Sequence, residues 1–377
     1  MQIPFKKISD AGDIRGKKIL LRLDLNVPIV DGKVRDDFKI ERSLPTIAML
    51  RDRGARTIII SHIDSEISDS LEPVAAYIGK MIQVKEFVRS LDDAPRAAAA
   101  LKDGEMIILE NIRRDPGEKA NDQAFAGRLA ALADYYVNDA FAVSHREHAS
   151  IVSVPRLIPS FAGPLLAEEI EELSKAFNPP KPFLFILGGA KFDTKLPLIE
   201  RFLGIADHVF VGGALANDIF KDRGLEVGLS VVSAKHVDLR RVENSPKLLV
   251  PDDIIASNPL SAIAKAPGLV GPDDRIMDAG PRTIDALAVL AKKAAFILWN
   301  GPLGDYEKGF SAGTEGVARA IAASDARSVV GGGDTIAVIA KLGILDKFSF
   351  VSTGGGAMIE FLAKGTLPGI EALKRAA

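Results

Sequence analysis

Residues Phe183–Lys195 read FLFILGGAKFDTK, an apolar run that is followed by two glycines and by two lysines four residues apart. The apolar run has the length and composition of a buried β-strand, and the residues after the glycines have the spacing of a helix. A strand that turns directly into a helix is the repeating unit of a parallel α/β sheet. We therefore predict that a parallel sheet is built around this stretch.

The alternation of short apolar runs with helical patterns continues on both sides of this stretch. The strands predicted in the first half are Ile19–Leu25, Thr57–Ile60, Met106–Leu109 and Tyr135–Asn138, with helices over Arg42–Arg53, Glu72–Ile82, Ala94–Leu101 and Asp122–Ala133. The strands predicted in the second half are Phe183–Leu187, His208–Val211, Leu248–Val250, Phe296–Trp299, Arg327–Val330 and Phe348–Val351, with helices over Leu196–Leu203, Ala214–Lys221, Thr283–Lys292, Thr314–Ala323 and Ile336–Lys341. Two such series predict two α/β domains, each with a doubly wound parallel sheet.

A stretch that is rich in proline, from Pro155 to Pro182, separates the two series. Within it, Pro164–Phe177 has the pattern of a long amphipathic helix, and prolines flank it on both sides. We interpret this helix as a lever between the domains, although a helix that only packs between them would have the same pattern. The domains predicted in this way are residues 1–162 and residues 163–356.

The composition favours a soluble, cytoplasmic protein. The chain has 377 residues and a formal net charge of -2, so no broad basic surface indicates nucleic acid or a membrane as a partner. It contains no cysteine, which excludes disulfides, thiolate metal sites and thiol catalysis. The N-terminus has charges where a secretion signal needs an apolar core, and no apolar run approaches the roughly 20 residues of a transmembrane helix.

Glycines follow several predicted strands of the second half. They are Gly188-Gly189, Gly212-Gly213, Gly301, Gly331-Gly332-Gly333 and Gly354-Gly355-Gly356. Ligands of open α/β sheets bind outside the carboxyl ends of the strands, where glycine lets backbone amides approach a phosphate and the next helix adds its dipole. One such junction is typical of a tight turn, but five of them in one half favour a nucleotide or phosphate site.

Charged and polar side chains beside these glycines suit a nucleotide. Lys191 and Lys195 share a helix face, so both ammonium groups can point at one anion. Asp334 can hold Mg²⁺ and Thr335 can hold phosphates, although an aspartate here is also an ordinary helix N-cap. Glu307 can accept hydrogen bonds from ribose hydroxyls, and alone it is typical of a solvated loop. The chain has no GxxxxGK[ST] motif, so the site is not a Walker A loop.

The first half carries polar and basic residues at successive strand ends. These residues are Asp24, Asn26, His62, Arg113, His145, Arg146 and His148. Each histidine alone is typical of a hydrogen-bonded structural residue, but the set at one sheet edge indicates a pocket for a small carboxylate or phosphate. A nucleotide site in one half and a small-anion site in the other suit phosphoryl transfer, in which positioning and charge neutralisation dominate.

Eight segments, in their order along the chain, resemble the motifs of phosphoglycerate kinases. They are RLDLNVP (22–28), SH (61–62), LENIRRDPGE (109–118), YVNDAFAVSHREHAS (136–150), GGAKFDTK (188–195), WNGPLGDYE (299–307), GGGDT (331–335) and STGGGA (352–357). In addition, LPGIEAL at Leu367–Leu373 resembles the C-terminal end of the family. The resemblance extends over nearly the whole chain, and the ordered set is far more specific than any one motif.

The resemblance implies two Rossmann-like domains that are joined by a long helix, with a C-terminal tail, from about residue 357, that packs back on the first domain. It implies reversible phosphoryl transfer between 1,3-bisphosphoglycerate and ADP, which gives 3-phosphoglycerate and ATP in glycolysis and gluconeogenesis. The first domain would bind the phosphoglycerate and the second would bind Mg²⁺ with ATP or ADP. Hinge bending would bring the two together in a monomeric enzyme.

Matching the family motifs position by position also implies roles for individual residues. The substrate-site matches are Asp24, Asn26, Lys39, His62, Arg113 and Arg146. The catalytic matches are Lys39, Arg146 and Lys191, of which Lys191 is the lysine that steadies the transferred phosphoryl group. The nucleotide-site matches are Lys195, Gly212, Gly213, Asn300, Glu307, Gly332, Gly333, Asp334 and Thr335, with Asp334 also at the magnesium.

Two departures from the family pattern weaken the cations of the substrate site. Lys39 stands where the family usually has arginine, so the charge is kept but the bidentate fork is lost. Asp64-Ser65-Glu66 replaces the usual Gly-Arg-Pro, and Arg35 or Arg42 would be a replacement cation. Smaller departures are Ala142 for a glycine and Asp305-Tyr306 for an apolar pair.

Three other functions are compatible with parts of the sequence. A divergent relative would phosphorylate another small carboxylate, and a protein without catalysis would only bind a nucleotide, although Lys191, Lys195 and Asp334 are all retained. A Rossmann dehydrogenase would share the fold, but no GxGxxG motif follows the first strand. We therefore expect a phosphotransferase with a carboxyl group as acceptor.

Overall fold

The computed structural model describes residues 5–64, 69–190, 192–234 and 238–375. They form two compact units, one made of the residues up to Glu171 together with those from Lys364 onward, and the other of Glu172–Ala363. The sequence expectation placed the division between residues 162 and 163 and the start of the returning tail at about residue 357.

The first unit is built on a parallel sheet. Its strands are β1 (Lys18–Arg22), β2 (Ile29–Val30), β3 (Lys33–Val34), β4 (Arg56–Ile60), β5 (Glu86–Val88), β6 (Met106–Leu109), β7 (Tyr135–Asn138) and β8 (Ser160–Ala162). β2 and β3 form a separate antiparallel hairpin, and the others form one sheet in the order β5-β6-β4-β1-β7-β8. The helices around it are α1 (Phe38–Asp52), α2 (Glu72–Ile78), α3 (Ala94–Ala99), α4 (Pro116–Lys119) and α5 (Gln123–Ala130). The next helix, α6 (Pro164–Ser174), belongs to this unit up to Glu171 and to the second unit from Glu172.

The apolar runs of this unit form strands because helices cover both faces of the sheet. In β1, Ile19 and Leu21 belong to the core on one face, whereas Leu20 belongs to the core on the other face. Successive side chains of a strand point to opposite faces, so a strand that is buried on both sides reads as a continuous apolar run. The same geometry brings the carboxyl ends of β1, β4, β6 and β7 to one edge of the sheet.

The second unit repeats this plan. Its strands are β9 (Phe183–Leu187), β10 (His208–Val211), β11 (Leu248–Leu249), β12 (Ile254–Asn258), β13 (Ser261–Lys265), β14 (Arg275–Ala279), β15 (Phe296–Asn300), β16 (Arg327–Gly331) and β17 (Phe350–Val351). The parallel sheet has the order β11-β10-β9-β15-β16-β17, and β12, β13 and β14 form an antiparallel sheet. The helices are α7 (Phe192–Ile205), α8 (Ala214–Asp222), α9 (Pro281–Lys293), α10 (Ala312–Ala322), α11 (Gly333–Lys341) and α12 (Gly355–Lys364).

The last helix, α13 (Pro368–Arg375), belongs to the first unit. Its Gly369 amide donates a hydrogen bond to the Ser144 carbonyl oxygen at 2.8 Å. A Cβ at this position would lie only 3.0 Å from the side chains of Ser144 and Ile151, so glycine allows the close approach. This contact joins the C-terminal part of the chain to the loop that carries His145, Arg146 and His148.

The predicted parallel sheets are confirmed, and the helix that was predicted over Pro164–Phe177 is observed as α6 and a 3-10 turn, Lys175–Phe177. Helix α1 begins at Phe38 rather than at Arg42, which places Lys39 in its first turn. Sequence patterns missed β2, β3, β5 and β8, which have only two or three residues each. They also missed the antiparallel sheet of β12, β13 and β14, of which β13 is mostly exposed. In the part of the chain that the structure describes, no helix is long and apolar enough to cross a membrane.

Candidate active site

A polar cluster lies at the carboxyl edge of the first unit's sheet. The loop after β1 carries Asp24 and Asn26, the residues after β4 are Ser61 and His62, and Arg113 follows β6. The loops are tied together, since Ser61 Oγ accepts a hydrogen bond from the Leu25 amide at 2.9 Å and donates to the Leu23 carbonyl at 2.8 Å. The predicted residues of the two neighbouring strands are therefore brought together.

The Asp24 carboxylate pairs with Lys39, whose ammonium lies 2.7 Å from Asp24 Oδ2. Asp24 is buried, and burial alone raises the pKa of a carboxyl group. Burial is the largest single influence here, but the charge and hydrogen bond of Lys39, together with the hydrogen bond from the Asn26 amide, outweigh it and lower the pKa of Asp24 to about 2. Asp24 is thus a fixed anion that holds the Lys39 ammonium at the edge of the sheet.

His62 is a buried, neutral imidazole. Burial, followed by the charge of Arg22, lowers its pKa well below the usual range. Arg22 Nη2 lies 3.1 Å from His62 Nδ1, and because a guanidinium can only donate, Nδ1 is the acceptor. The proton is then on Nε2, which lies 4.0 Å from Asp24 Oδ1. His62 therefore offers this edge a hydrogen-bond donor rather than a positive charge.

Behind His62 lies a buried ion pair that sequence analysis missed. Arg22 and Glu118 are both fully buried, 3.9 Å apart, and Ser150 links them by accepting from Arg22 Nε and donating to Glu118 Oε1. The only signal in the sequence was a charged residue at the end of an apolar strand. Because Arg22 Nη2 also contacts His62 Nδ1, the pair holds the imidazole in position.

Arg113 lies at the other side of the cluster, with its side chain 9% exposed. Its Nη1 donates to Asp64 Oδ2 at 2.8 Å, and the Asp64 amide in turn donates to Asn26 Oδ1 at 3.1 Å. Among the described residues, no hydrogen-bond partner exists for the buried Arg113 Nε. Arg113 thus retains donor capacity toward the edge where Asn26 lies.

The residues after β7 are placed differently from one another. Arg146 is exposed. His148 Nδ1 lies 3.9 Å from Glu118 Oε1, and burial, followed by the charge of Arg113, lowers the His148 pKa to about 4. His145 is half-buried. Arg146 is therefore the permanent cation of this group.

The second unit contains a cavity of about 660 Å³ at the carboxyl edge of its sheet. Gly189, Gly213, Glu307 and Asp334 are among the residues that line it. The apolar part of the lining comes from Ala216, Val231, Ile254, Ile276, Met277 and Leu303. A mostly apolar cavity with a few polar groups at glycine turns is the usual form of a site for a nucleotide-sized ligand.

Two turns at the cavity require glycine, because the backbone has a positive φ and because a side chain would lack space. Gly213 has φ +60°, and a Cβ there would lie 2.7 Å from the Gly189 nitrogen. Gly332 has φ +103° directly before α11. Larger residues would therefore fill the space in which the backbone amides approach a ligand.

Two predicted nucleotide residues are buried beside the cavity. Lys195 donates from Nζ to the Gly188 carbonyl oxygen at 2.7 Å and is 9% exposed. Thr335 is fully buried, and its Oγ1 has no hydrogen-bond partner among the residues that the structure describes. A buried hydroxyl without a partner is costly, so its presence beside a cavity is best explained by a ligand.

Comparison with known proteins gives one consistent result. A family model described as phosphoglycerate kinase matches residues 8–365. The phosphoglycerate kinase of Rubrobacter xylanophilus is 42% identical over 96% of this chain and 96% of its own length. That of Thermus thermophilus is 39% identical over 96% of this chain and 98% of its own length. The chain belongs to the phosphoglycerate kinase family.

Solved structures of the family agree with this fold. Phosphoglycerate kinase from Coxiella burnetii matches with a TM-score of 0.83 at 37% identity, over 98% of this chain and 99% of the other. The enzyme from Pyrococcus horikoshii OT3 matches with a TM-score of 0.87 at 32% identity over the same shares. The prediction of a phosphoglycerate kinase is confirmed, and the chain is a phosphotransferase of glycolysis.

The remaining residues of the phosphoglycerate kinase motifs are partly at the cavity and partly away from it. Gly212 is packed against Phe210 and Leu303, and Asn300 is 2% exposed with its Nδ2 3.4 Å from Met358 Sδ. Gly333 is the first residue of α11 and is exposed.

Three residues that the sequence singled out, Lys191, Ser65 and Glu66, lie outside the described residues. The two arginines that the sequence offered as replacement cations both contact a carboxylate. Arg35 Nη2 lies 3.6 Å from Asp31 Oδ2, and Arg42 Nη2 donates a hydrogen bond to Glu168 Oε2 at 2.8 Å.

Asp278 is a cavity residue that sequence analysis missed. It lines the cavity and is 3% exposed, and it accepts hydrogen bonds from the amides of Gly313 at 2.9 Å and Ala279 at 2.8 Å. Burial raises its pKa to about 6. A Cβ on Gly304 would lie 2.4 Å from the Asp278 carboxyl carbon, so two glycine segments close around this group. In the sequence, no residue next to Asp278 distinguishes it from an ordinary solvated aspartate.

Proposed function

We propose that the polar cluster of the first unit binds the phosphoglycerate. The observation that supports this is the set of cations at one sheet edge: Lys39 fixed by Asp24, the nearly buried Arg113, and the exposed Arg146. A guanidinium binds carboxylate and phosphate through paired hydrogen bonds, and a buried one does so with little screening by water. Neutral His62 and the amide of Asn26 would supply hydrogen bonds to hydroxyl and carboxylate oxygens.

We propose that the cavity of the second unit binds ADP or ATP. The unpartnered hydroxyl of Thr335 and the amides at the start of α11 would face the phosphates, and the helix dipole would favour their negative charge. Lys195 would turn from the Gly188 carbonyl to a phosphate oxygen. Glu307, which lines the cavity, would accept hydrogen bonds from the ribose.

Magnesium would bind together with the nucleotide. Asp334 lies in the first turn of α11 and lines the cavity, and it is exposed. Within the described ranges, no group of three or more His, Asp or Glu side chains is arranged to hold a metal ion. One carboxylate with the phosphate oxygens is the usual donor set for Mg²⁺, which keeps several waters. The ion would supply charge neutralisation for the phosphates.

We propose that the transfer itself depends on position and charge. Because each unit would hold one reactant, hinge bending must bring the acyl phosphate and the nucleotide into line, and it would exclude water at the same time. Lys39, Arg146 and Lys191 would neutralise the phosphoryl group between its two oxygen partners. The enzyme would work as a cytoplasmic monomer, since each unit carries a complete half of the site.

Separate binding measurements test this division of roles. Isothermal titration calorimetry with 3-phosphoglycerate and with Mg-ATP is carried out on the wild type, Arg113→Gln and Lys195→Gln. We expect Arg113→Gln to weaken 3-phosphoglycerate binding about tenfold or more and to leave Mg-ATP binding unchanged, because a charge-assisted hydrogen bond is lost. Lys195→Gln should have the opposite pattern.

The exposed Lys292 at the end of α9 provides the matched control, and Lys292→Gln should bind both ligands as the wild type does. Unchanged 3-phosphoglycerate affinity in Arg113→Gln would contradict the proposed substrate site. An equal loss of both ligands in either variant would contradict the division between the two units.

A further inference from the structure

The Asp64 carboxylate lies between two cations of the first unit. Its Oδ2 accepts a hydrogen bond from Arg113 Nη1 at 2.8 Å, and its Oδ1 lies 3.8 Å from Lys119 Nζ. Each oxygen of the carboxylate therefore faces a different positive group. Lys119 is the last residue of α4 and had no role in the sequence analysis.

The backbone around Asp64 is held in place, so this contact is not that of a freely moving surface residue. The Asp64 amide donates to Asn26 Oδ1 at 3.1 Å, and the carbonyl of the preceding Ile63 accepts from Asn111 Nδ2 at 2.9 Å. Asn111 Oδ1 also accepts from the Arg113 amide at 3.0 Å. The same asparagine therefore positions both the segment that carries the aspartate and the arginine.

The two partners differ strongly in exposure. The Arg113 side chain is 9% exposed, whereas the Asp64 side chain is 60% exposed. An exposed carboxylate can leave an ion pair at little cost, because water solvates it and such pairs are weak. The buried guanidinium cannot follow it, and its Nε has no partner within the described part of the chain. Any anion that reaches Arg113 must therefore displace Asp64 or accept its repulsion.

We propose that Asp64 competes with the substrate's anionic group for Arg113 and Lys119 and so lowers the affinity of the substrate site. In the free enzyme the aspartate occupies both cations. When the substrate binds, its carboxylate or phosphate takes the place of Asp64, and Lys119 then contributes a positive charge to the substrate pocket. Asp64 thereby weakens the binding of every anion at this edge.

The inference rests on the proposed substrate site, and the experiment separates the two. Affinities for 3-phosphoglycerate and for inorganic sulfate are measured by calorimetry on the full chain, for the wild type, Asp64→Asn and Lys119→Ala. We expect Asp64→Asn to bind both anions about two to five times more tightly, which corresponds to the strength of an exposed ion pair. Lys119→Ala should bind both more weakly by a similar factor.

Kinetics supply a readout that a purely structural role would not move. In Asp64→Asn the KM for 3-phosphoglycerate should fall by the same factor, while kcat and the KM for Mg-ATP stay at the wild-type values. Asp92→Asn is the matched control, since Asp92 is also an exposed aspartate that pairs with an arginine, Arg128, and it should change neither affinity.

Unchanged or weaker anion affinity in Asp64→Asn would overturn the inference, because it would show that Asp64 does not compete or that it orients Arg113 for the substrate. Failure of the wild type to bind 3-phosphoglycerate would instead overturn the proposed substrate. In that case the sulfate affinities still decide whether Asp64 competes with an anion.

Discussion

Lys39 Nζ and Asp24 Oδ2 lie 2.7 Å apart, and this contact joins the first turn of α1 to the loop that follows β1. It shows how the Lys39 ammonium is positioned at the sheet edge. The ammonium has three donors, and Asp24 takes one of them. The others remain available at the sheet edge, so the charge is held in place without the planar fork of an arginine.

Lys39→Ala should cost stability as well as activity. It would leave Asp24, which is 7% exposed, without its cation, and we expect a loss of about 2 kcal/mol in the free energy of unfolding. The KM for 3-phosphoglycerate should rise about tenfold through loss of a charged contact. Urea unfolding and steady-state kinetics measure the two effects. Lys39→Arg is the control, and it should retain both; equal stability of Lys39→Ala and wild type would contradict the role given to the pair.

Asp278 should make stability depend on pH in the mildly acidic range. Burial raises its folded-state pKa from 3.8 to about 6, so between these values the folded protein binds more protons than the unfolded chain. Stability must then fall as pH rises through this window, by up to about 3 kcal/mol from this group. Asp278→Asn cannot titrate there, so its stability should fall less over the same window.

Urea unfolding of the wild type and Asp278→Asn at several pH values from about 4 to 7 measures this difference. The exposed Asp285 of α9 provides the control, because Asp285→Asn should follow the wild type at every pH. Parallel pH curves for the wild type and Asp278→Asn would show that the carboxyl group is ionised at ordinary pKa in the folded protein.

Thr335→Val should affect stability and nucleotide binding in opposite ways. The valine keeps the shape and removes a buried hydroxyl that has no partner among the described residues, so the free protein should be as stable or up to about 1 kcal/mol more stable. The KM for Mg-ATP should rise severalfold, because the proposed phosphate contact is lost. Thermal unfolding and kinetics measure these changes.

Thr314 is the matched comparison within the same unit. It is also fully buried, but its Oγ1 accepts a hydrogen bond from the Leu303 amide at 2.9 Å. Thr314→Val should therefore destabilise the protein by about 1–3 kcal/mol, since the amide is left without a partner. Loss of stability in Thr335→Val of the same size would contradict the assignment of its hydroxyl to a ligand.

The parallel sheets could be predicted because burial on both faces leaves a continuous apolar run, as in β9 and β15. β13 could not be predicted, since it is mostly exposed and has no such run. The glycine turns and the polar residues after the strands could be selected as candidates, because ligands of such sheets bind outside the carboxyl ends of the strands.

Buried charges were harder to predict than strands. The Arg22–Glu118 pair, Asp278 and the Asp64–Arg113 contact each depend on segments that are distant in sequence and meet only in the folded unit. The sequence around a single charged residue gives no sign of whether its side chain is solvated or buried. Its chemistry is decided by partners that only the tertiary structure brings near.

The most direct test of the account is the consumption of ATP in the presence of Mg²⁺ and 3-phosphoglycerate by the purified protein and by Lys191→Ala. We predict robust turnover by the wild type and its loss in the variant, with Mg-ATP binding retained in both. Absence of turnover in a wild-type protein that still binds Mg-ATP would contradict the account.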